Sequence, residues 1–264
     1  MTPLRLRPWP RQCSGIALDM GSARTRAWIA GRGLVLDVPT VTFPGTGAIH
    51  PIQRGTIIDA PGTARMLERL LAHRLPRLAR PLIVVAAPVL DGITYRSQAH
   101  VAVQALRPRS VLTIPAARAV AHSAGADLSR PLIVIDIGAH LTEVVLLVDG
   151  AVHDARRTAL GTEDIRDQTT GPAQIGGALA DMTASMLRQD PTSLTHDALA
   201  RGPLLAGGGA LHPEITHRLA DRLHTPLHPV PAPHTAAVRG AAQLLKAAHN
   251  HPTTAHTHRP GPPR

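Results

Sequence analysis

Two short segments of the 264-residue chain share a spacing suited to phosphate chemistry. Residues 15–37 run GIALDMGSARTRAWIAGRGLVLD and residues 132–154 run LIVIDIGAHLTEVVLLVDGAVHD. A shift of 117 positions superposes Asp19 on Asp136, Gly21 on Gly138, Thr25 on Thr142, Gly33 on Gly150, Val35 on Val152 and Asp37 on Asp154. Each copy predicts strand, tight turn, strand, turn, strand. A glycine two residues after the aspartate lets the backbone bend and approach a ligand closely, and the N–H groups of such a bend form an anion-binding concavity. An aspartate at the strand end suits a hydrated Mg²⁺, and the threonine opening the return strand offers a hydroxyl. One copy alone is a plain hairpin; two in register describe a pair of clamps facing across a cleft and holding a polyphosphate. A third segment, LLAGGGALH (204–212), predicts an apolar strand, three glycines and a helix running to about Leu223. Gly207, Gly208 and Gly209 would let a flat base or ribose lie against bare backbone at that helix N-terminus.

The elements that must position these residues follow from hydrophobic periodicity. LIVVAA (82–87), VLTI (111–114), LIVID (132–136) and EVVLLV (143–148) are short β-rich runs. Helical spacing recurs at Met66, Leu67, Leu70 and Leu71, over 95–106, over 176–188, and at Ile215, Leu219 and Leu223. Asp59 followed by Ala-Pro-Gly-Thr predicts a helix entry, with side-chain oxygens for free N–H groups and a proline that needs none. Strands alternating with helices predict an α/β protein.

Composition narrows the class. Apolar residues make up 44%, too many for a disordered chain, and no apolar run reaches the roughly 18 residues of a membrane span. The N-terminal residues are basic but interrupted by proline and lack a following apolar stretch, which argues against a secretory signal. The single cysteine, Cys13, excludes an internal disulfide and fits a reducing, cytoplasmic compartment. With 28 Lys+Arg against 18 Asp+Glu the net charge is +10, carried almost wholly by arginine because Lys246 is the one lysine. Such a surface favours acidic partners. Nucleic acid is the weaker choice, since aromatics are 2% of the chain and stacking platforms need them. P-loop, dinucleotide-fold, serine-hydrolase and HExxH signatures are absent. Residues 1–13 and 249–264 are expected to be a disordered arm and a disordered His/Pro-rich tail; the tail's His249, His251, His256 and His258 read as solvated rather than as a closed metal site. Trp28 reads as core, and His100 and His122 as ordinary helix residues.

In this order the three elements resemble the actin / heat-shock chaperone / sugar-kinase superfamily, and within it the MreB/Mbl bacterial actin-like cell-shape proteins. DMGSART (19–25) is similar to the first phosphate loop, GRGLVLDVPTV (31–41) to the turn and strand after it, and PIQRGTIIDAPGTARML (51–67) to the next segment and its helix. VVAAPVLDGITYRSQ (84–98) lies where the family has Val-Pro and a Thr-Glu-Arg helix, DIGAHLTE (136–143) resembles the second phosphate loop, and LAGGGALH (205–212) the adenosine loop. The resemblance implies an actin-like ATPase fold, two RNase-H-like lobes around a central cleft: lobe I over 14–130 and lobe II over 131–248. Only about ten residues separate Val41 from Ile52, and a linker separates Gly161 from the helix near Gly176, where the family carries inserted subdomains. The expectation is a minimal form without the two outer subdomains.

By the same resemblance, the nucleotide-binding residues are Asp19, Gly21, Ser22, Arg24, Thr25, Asp136, Gly138, Thr142, Gly207, Gly208 and Gly209. Asp19 and Asp136 would hold the metal of Mg-ATP. Ala139, His140 and Leu141 stand where the family has Gly, Gly and Thr, so a Cβ crowds the phosphate. Arg24 replaces an asparagine and either adds charge to a phosphate contact or points to solvent. Pro115, Ala116 and Ala117 replace the segment whose glutamate positions the attacking water, which implies that hydrolysis is lost or very slow and that nucleotide binding is weakened. The leading expectation is therefore a degenerate actin-like scaffold of cell shape or of spore and cell-wall synthesis. Its partners would be copies of itself, other actin-like subunits and the wall-synthesis machinery. The alternative is a small ATPase, chaperone-like protein or kinase of the same superfamily, for which Asp19, Asp136 and Glu143 are the remaining carboxylates. Peripheral membrane contact is a third expectation, through LRLRPWP (4–10) with Trp9 and HRLPRLARP (73–81), which mix arginine with apolar side chains.

Overall fold

Apolar alternation along the first repeat produces three antiparallel strands, β1 (Gly15–Met20), β2 (Arg24–Ile29) and β3 (Gly33–Pro39). The computed structural model describes residues 15–250 except 46, 77, 78 and 91. A two-residue ribbon, β4 (Ile52–Gln53) and β5 (Thr56–Ile57), precedes helix α1 (Ala60–Leu71). Asp59 caps α1 as its sequence predicts, accepting the Gly62 N–H at 2.7 Å. Strand β6 (Leu82–Ala87), helix α2 (Gly92–Val103), strand β7 (Ser110–Pro115) and helix α3 (Ala116–Ser123) follow. The two later strands add in parallel beside β1, so the first sheet has the order β3-β2-β1-β6-β7.

The second repeat builds the same object. Strands β8 (Leu132–Ile137), β9 (Thr142–Val148) and β10 (Ala151–Thr158) form the antiparallel meander. Helices α4 (Thr162–Arg166), α5 (Pro172–Gln189) and α6 (Leu194–Ala200) lead to β11 (Leu204–Ala206), α7 (Pro213–Leu223), β12 (His228–Pro229) and α8 (Ala236–Asn250). The sheet order, β10-β9-β8-β11-β12, repeats that of the first sheet position by position. Asp149 and Gly150 form the two-residue β9–β10 turn with φ of 50° and 70°, the left-handed pair such hairpins require. At the two connections expected to lack the family's inserted subdomains, the described residues of 42–59 carry a Thr42–Ile49 bridge and the β4–β5 ribbon, and residues 159–171 the five-residue α4.

The side-chain period of two divides each inner strand between two cores. Ile16, Leu18, Ile83 and Val85 pack with Leu67, Leu71, Tyr95 and Ala99 on one side of the first sheet. Ile133, Ile135 and Leu146 pack with Ile175, Leu179, Ile215 and Leu219 on one side of the second. The opposite faces, with Ala17, Val84, Val134 and Val145, meet a third core built on α3 and α8. These two helices therefore lie between the sheets. Their contact is lined by Ala119, Ala121, Ala236 and Ala241, and the backbones touch at Gly240.

Both helices escaped the periodicity reading. In α3 the buried residues are Ala117, Ala119, Val120 and Ala121, too small to form a conspicuous apolar stripe. Chain order grouped 236–248 with the second lobe, but α8 packs on β1, β6 and β2 of the first sheet and on α3. Residues 1–14 and 251–264, which include Cys13, Trp9 and three of the tail histidines, lie outside the described residues, and so do the disorder expectations made for them. His249 and Asn250, assigned to the tail, end α8. Among the described residues no helix is long and apolar enough to cross a membrane.

Candidate functional site

The two Asp-x-Gly bends have the same hydrogen bond in the same place. Gly21 N–H donates to Arg24 O at 3.0 Å and Gly138 N–H to Leu141 O at 2.9 Å. Register matches too: Asp19 pairs with Arg26 and Met20 with Thr25 across β1–β2, as Asp136 pairs with Glu143 and Ile137 with Thr142 across β8–β9. The backbone N–H groups of Ser22, Ala23, Ala139 and His140 make no hydrogen bond to the described residues. Each bend thus presents the donors from which an anion site is made.

The bends face one another across a cavity of about 840 Å³. Of the residues expected to bind nucleotide, Asp19, Gly21, Ser22, Arg24, Asp136, Gly138, Gly207 and Gly208 line it. Three do not. Thr25 is fully buried with its hydroxyl bonded to Thr40 Oγ1 at 2.8 Å, and Thr142 is fully buried with its hydroxyl donating to Leu160 O at 2.8 Å. Both tie a return strand to the segment following the third strand of its own meander. Gly209 is buried: a Cβ there would lie 2.1 Å from Ile137 Cγ2, so its hydrogen permits packing rather than ligand approach. Gly207, at φ 79°, passes over the end of β8, where a Cβ would meet Ile137 O at 2.2 Å and Asp136 Oδ1 at 2.5 Å. Gly208 has open space beside it.

Four charged side chains form the floor. Arg26 lies 3.5 Å from Asp19 and 3.3 Å from Asp37. Burial raises the Asp19 carboxyl above its usual value, with Arg26 opposing the shift. Burial, then the neighbouring Asp19 and Glu143, push Asp136 up to about 7 against the pull of Arg26. Glu143 is raised by burial and held back by its hydrogen bonds. Its carboxylate accepts from Val89 N–H and Leu90 N–H, at 3.1 Å each, so a second-sheet residue pins the loop after β6. This is a structural rather than a catalytic use of the carboxylate. Glu143→Ala is expected to lower stability by about 2 kcal/mol, because two N–H groups lose a charged acceptor, and a urea denaturation midpoint would read the change. Tyr95, whose hydroxyl donates to Met20 O at 3.0 Å, also lines the cavity.

At the other end the loops touch. Ser22 Oγ and His140 Nδ1 are 3.0 Å apart, a hydrogen bond that spans the gap between the bends. Arg54, in the β4–β5 turn, reaches Asp164 at 2.8 Å and donates to Ala159 O, while the neighbouring Gly55 lies against the Leu141 side chain. Arg24, at the exposed rim of the cavity, is not a free cation: its guanidinium is bound to the Asp37 carboxylate at 2.5 Å and the Asp37 carbonyl at 2.7 Å. The helix α4 supports the second bend, with Thr162 N–H and Glu163 N–H donating to Gly138 O and Ala139 O at 3.1 and 2.9 Å.

Against protein-family models, residues 42–171 and 155–253 match the MreB/Mbl protein family. The chain belongs to the MreB/Mbl family. It is 24% identical to the cell shape-determining protein MreB of Escherichia coli K12 over 88% of this chain and 93% of that one. Its fold is actin-like. The crystal structure of Spiroplasma citri MreB5 bound to ADP superposes with a TM-score of 0.76 at 17% identity, covering 92% of this chain and all of that one. The same protein bound to AMPPNP gives 0.75 at 16% identity, covering 91% and 98%.

Within this MreB/Mbl chain, the position expected to orient attacking water lies at the start of α3. Pro115 caps that helix and Ala116 faces the cavity, so no carboxylate projects from it. The carboxylates at the wall are Asp19, Asp136, Glu143, Glu163 and Asp167, and Glu163 is paired with Arg166 at 2.9 Å. Among the described residues no group of three His, Cys, Asp or Glu side chains is placed to hold a metal by itself. Sequence reasoning missed Arg26, Arg54, Tyr95, Glu163 and Asp167. Arg26 alone carried a signal, because the 117-residue shift places it on Glu143. Trp28 is partly buried and lines a second cavity of about 480 Å³ beside α8.

Proposed function

We propose that this chain is an actin-like cytoskeletal scaffold of cell shape or wall synthesis, one that binds Mg-nucleotide in its interlobe cavity and hydrolyses it poorly. The observation that carries the reading is the pair of equivalent bends, with unpartnered N–H groups, on opposite sides of one cavity. The donor set fits the group. The bends and the open face of Gly208 suit phosphate and ribose, while Asp19 and Asp136 can hold a hydrated Mg²⁺ in concert with phosphate oxygens, since neither has the partners for a protein-only site. Magnesium would neutralise phosphate charge and draw the Asp136 proton off. Ala116 at the wall leaves water unoriented, which supports slow turnover over the small-ATPase or kinase alternative.

Nucleotide linkage would work through the two lobes. A ligand touching both bends adds contacts between the sheets that α3 and α8 already join, and so sets their relative angle. Relatives named for cell shape and the shared fold support self-association or co-assembly with other actin-like subunits, alongside wall-synthesis enzymes in the cytoplasm. Membrane contact would rest on the basic-apolar segments; residues 4–10 and Arg77 and Leu78 of 73–81 lie outside the described residues.

Calorimetry with Mg-ADP and Mg-ATP tests the cavity. Binding that falls at least tenfold in Asp19→Ala and in Asp136→Ala is the expected result, together with phosphate release no faster than background. Heat absent for both nucleotides would reject nucleotide binding. Sedimentation at high concentration with and without Mg-nucleotide tests assembly, a strictly monomeric protein in both arms being the contrary outcome, and liposome co-sedimentation tests membrane contact.

A further inference from the structure

The proposed nucleotide site is interrupted at one end by a residue of its own loop. Gly21 and Gly138 spend their N–H groups inside their bends, so the donors left for an anion are those of Ser22, Ala23, Ala139 and His140. An anion engaging both sets would have to sit between the two bends. There, the Ser22 hydroxyl and the His140 imidazole are already in contact at 3.0 Å. At that separation no phosphate oxygen fits between them, because each oxygen needs a hydrogen-bond length of its own on either side.

The loop carrying the ring is also held in place. Gly138 O and Ala139 O accept from the first turn of α4, and a Cβ on Gly161 would lie 2.3 Å from Ala139 C and O, so the loop has no room to retreat toward α4. Beyond it, Leu141 packs on Gly55, and Arg54 bonds across to Asp164 and Ala159 O. The glycine end of the cavity differs: Gly208 faces open space and Gly207 adds no side chain. A ligand with its base and ribose at Gly207–Gly208 would extend its phosphate chain along the shared wall toward the bends, where the Ser22–His140 contact stands.

We propose that the Ser22–His140 contact occupies the terminal-phosphate position, so that the cavity selects nucleoside diphosphate over triphosphate. The inference rests on the nucleotide reading above and specifies the ligand class. Under it the chain is a reader of the spent nucleotide rather than a motor that must be loaded with the fresh one. His140 acts as a specificity-determining side chain, placed where the family resemblance implies a glycine. Its removal restores the space without touching Asp19, Asp136 or the glycine turn.

Calorimetry at fixed Mg²⁺ on the full chain, with ADP and ATP titrated in parallel, tests this. Wild type is expected to bind ADP at least about tenfold more tightly than ATP. His140→Gly is expected to bring the two within about threefold of each other, chiefly by a gain in ATP affinity. Ser22→Ala, which frees the ring but leaves it in place, should give a smaller gain in the same direction and serves if the glycine variant does not fold. Equal or tighter ATP binding by wild type, or an unchanged ADP-to-ATP ratio in the folded variants, would overturn the proposal while leaving nucleotide binding intact. If wild type bound neither nucleotide, the underlying reading and this proposal would fall together.

Discussion

Gly240→Ala is expected to destabilise the protein by about 3 kcal/mol. A Cβ at 240 would stand 1.6 Å from Ala119 O and 2.4 Å from Ala119 C. Both atoms belong to the α3 backbone, so no side-chain rotation can make room and the helices must separate. Separation opens the core of Ala17, Val84, Val134 and Val145 that joins the two sheets, which is why a local clash becomes a loss for the whole molecule. Chemical denaturation of the variant beside Gly45→Ala, where an added Cβ meets nothing within 4 Å, would read the difference. The control should lie within about 0.5 kcal/mol of wild type. A Gly240→Ala midpoint equal to that of the control would mean that α3 and α8 do not approach as described.

The second large effect is a pH dependence set by Asp136. Below the free-aspartate value of 3.8, folded and unfolded chains both carry the proton. Between there and about 7 the unfolded chain has released it and the folded chain still holds it, so stability falls as pH rises. The loss amounts to about 1.4 kcal/mol per pH unit and at most about 4 kcal/mol in total, and it levels off above the folded value. Asp19 and Glu143 are raised in the same direction and steepen the same decline. Asp136→Asn removes the main contributor. The variant should melt roughly 5–10 °C above wild type at pH 8 and close to it at pH 4. Parallel melting curves for the two proteins across that range would show that Asp136 ionises as easily in the fold as in water. In the presence of Mg-nucleotide the wild-type slope should shrink, since a cation beside the carboxylate favours its charged form.

Much of the scaffold was legible because its determinants are local. Alternating apolar residues in 15–20 and 132–137 make strands whichever sheet they join, Asp59 caps the helix that follows it, and the Asp149–Gly150 pair makes its turn. The duplication carried more: it implied two sheets of one design, and the matched bonds at Gly21 and Gly138 have that equivalence at atomic scale. The site was legible only in part. Thr25 and Thr142 occupy equivalent places and look like hydroxyl donors to a ligand, yet both are buried and bonded within the protein, to Thr40 Oγ1 and Leu160 O. Nothing around Arg24 in the chain announces that Asp37, thirteen residues on, will take its guanidinium.

The residue pattern by itself determined the α/β alternation, the duplicated hairpins and the aspartates at their bends, since these depend on neighbours a few positions apart. Only the tertiary structure decided that α3 and α8 lie between the sheets, that Glu143 holds the loop at Val89 and Leu90, and that Ser22 meets His140 across 118 positions. Those relations depend on how the two sheets are set against each other. That angle follows from the close approach of Gly240 to Ala119 and from summed packing over the shared core, neither of which leaves a periodic trace in the chain.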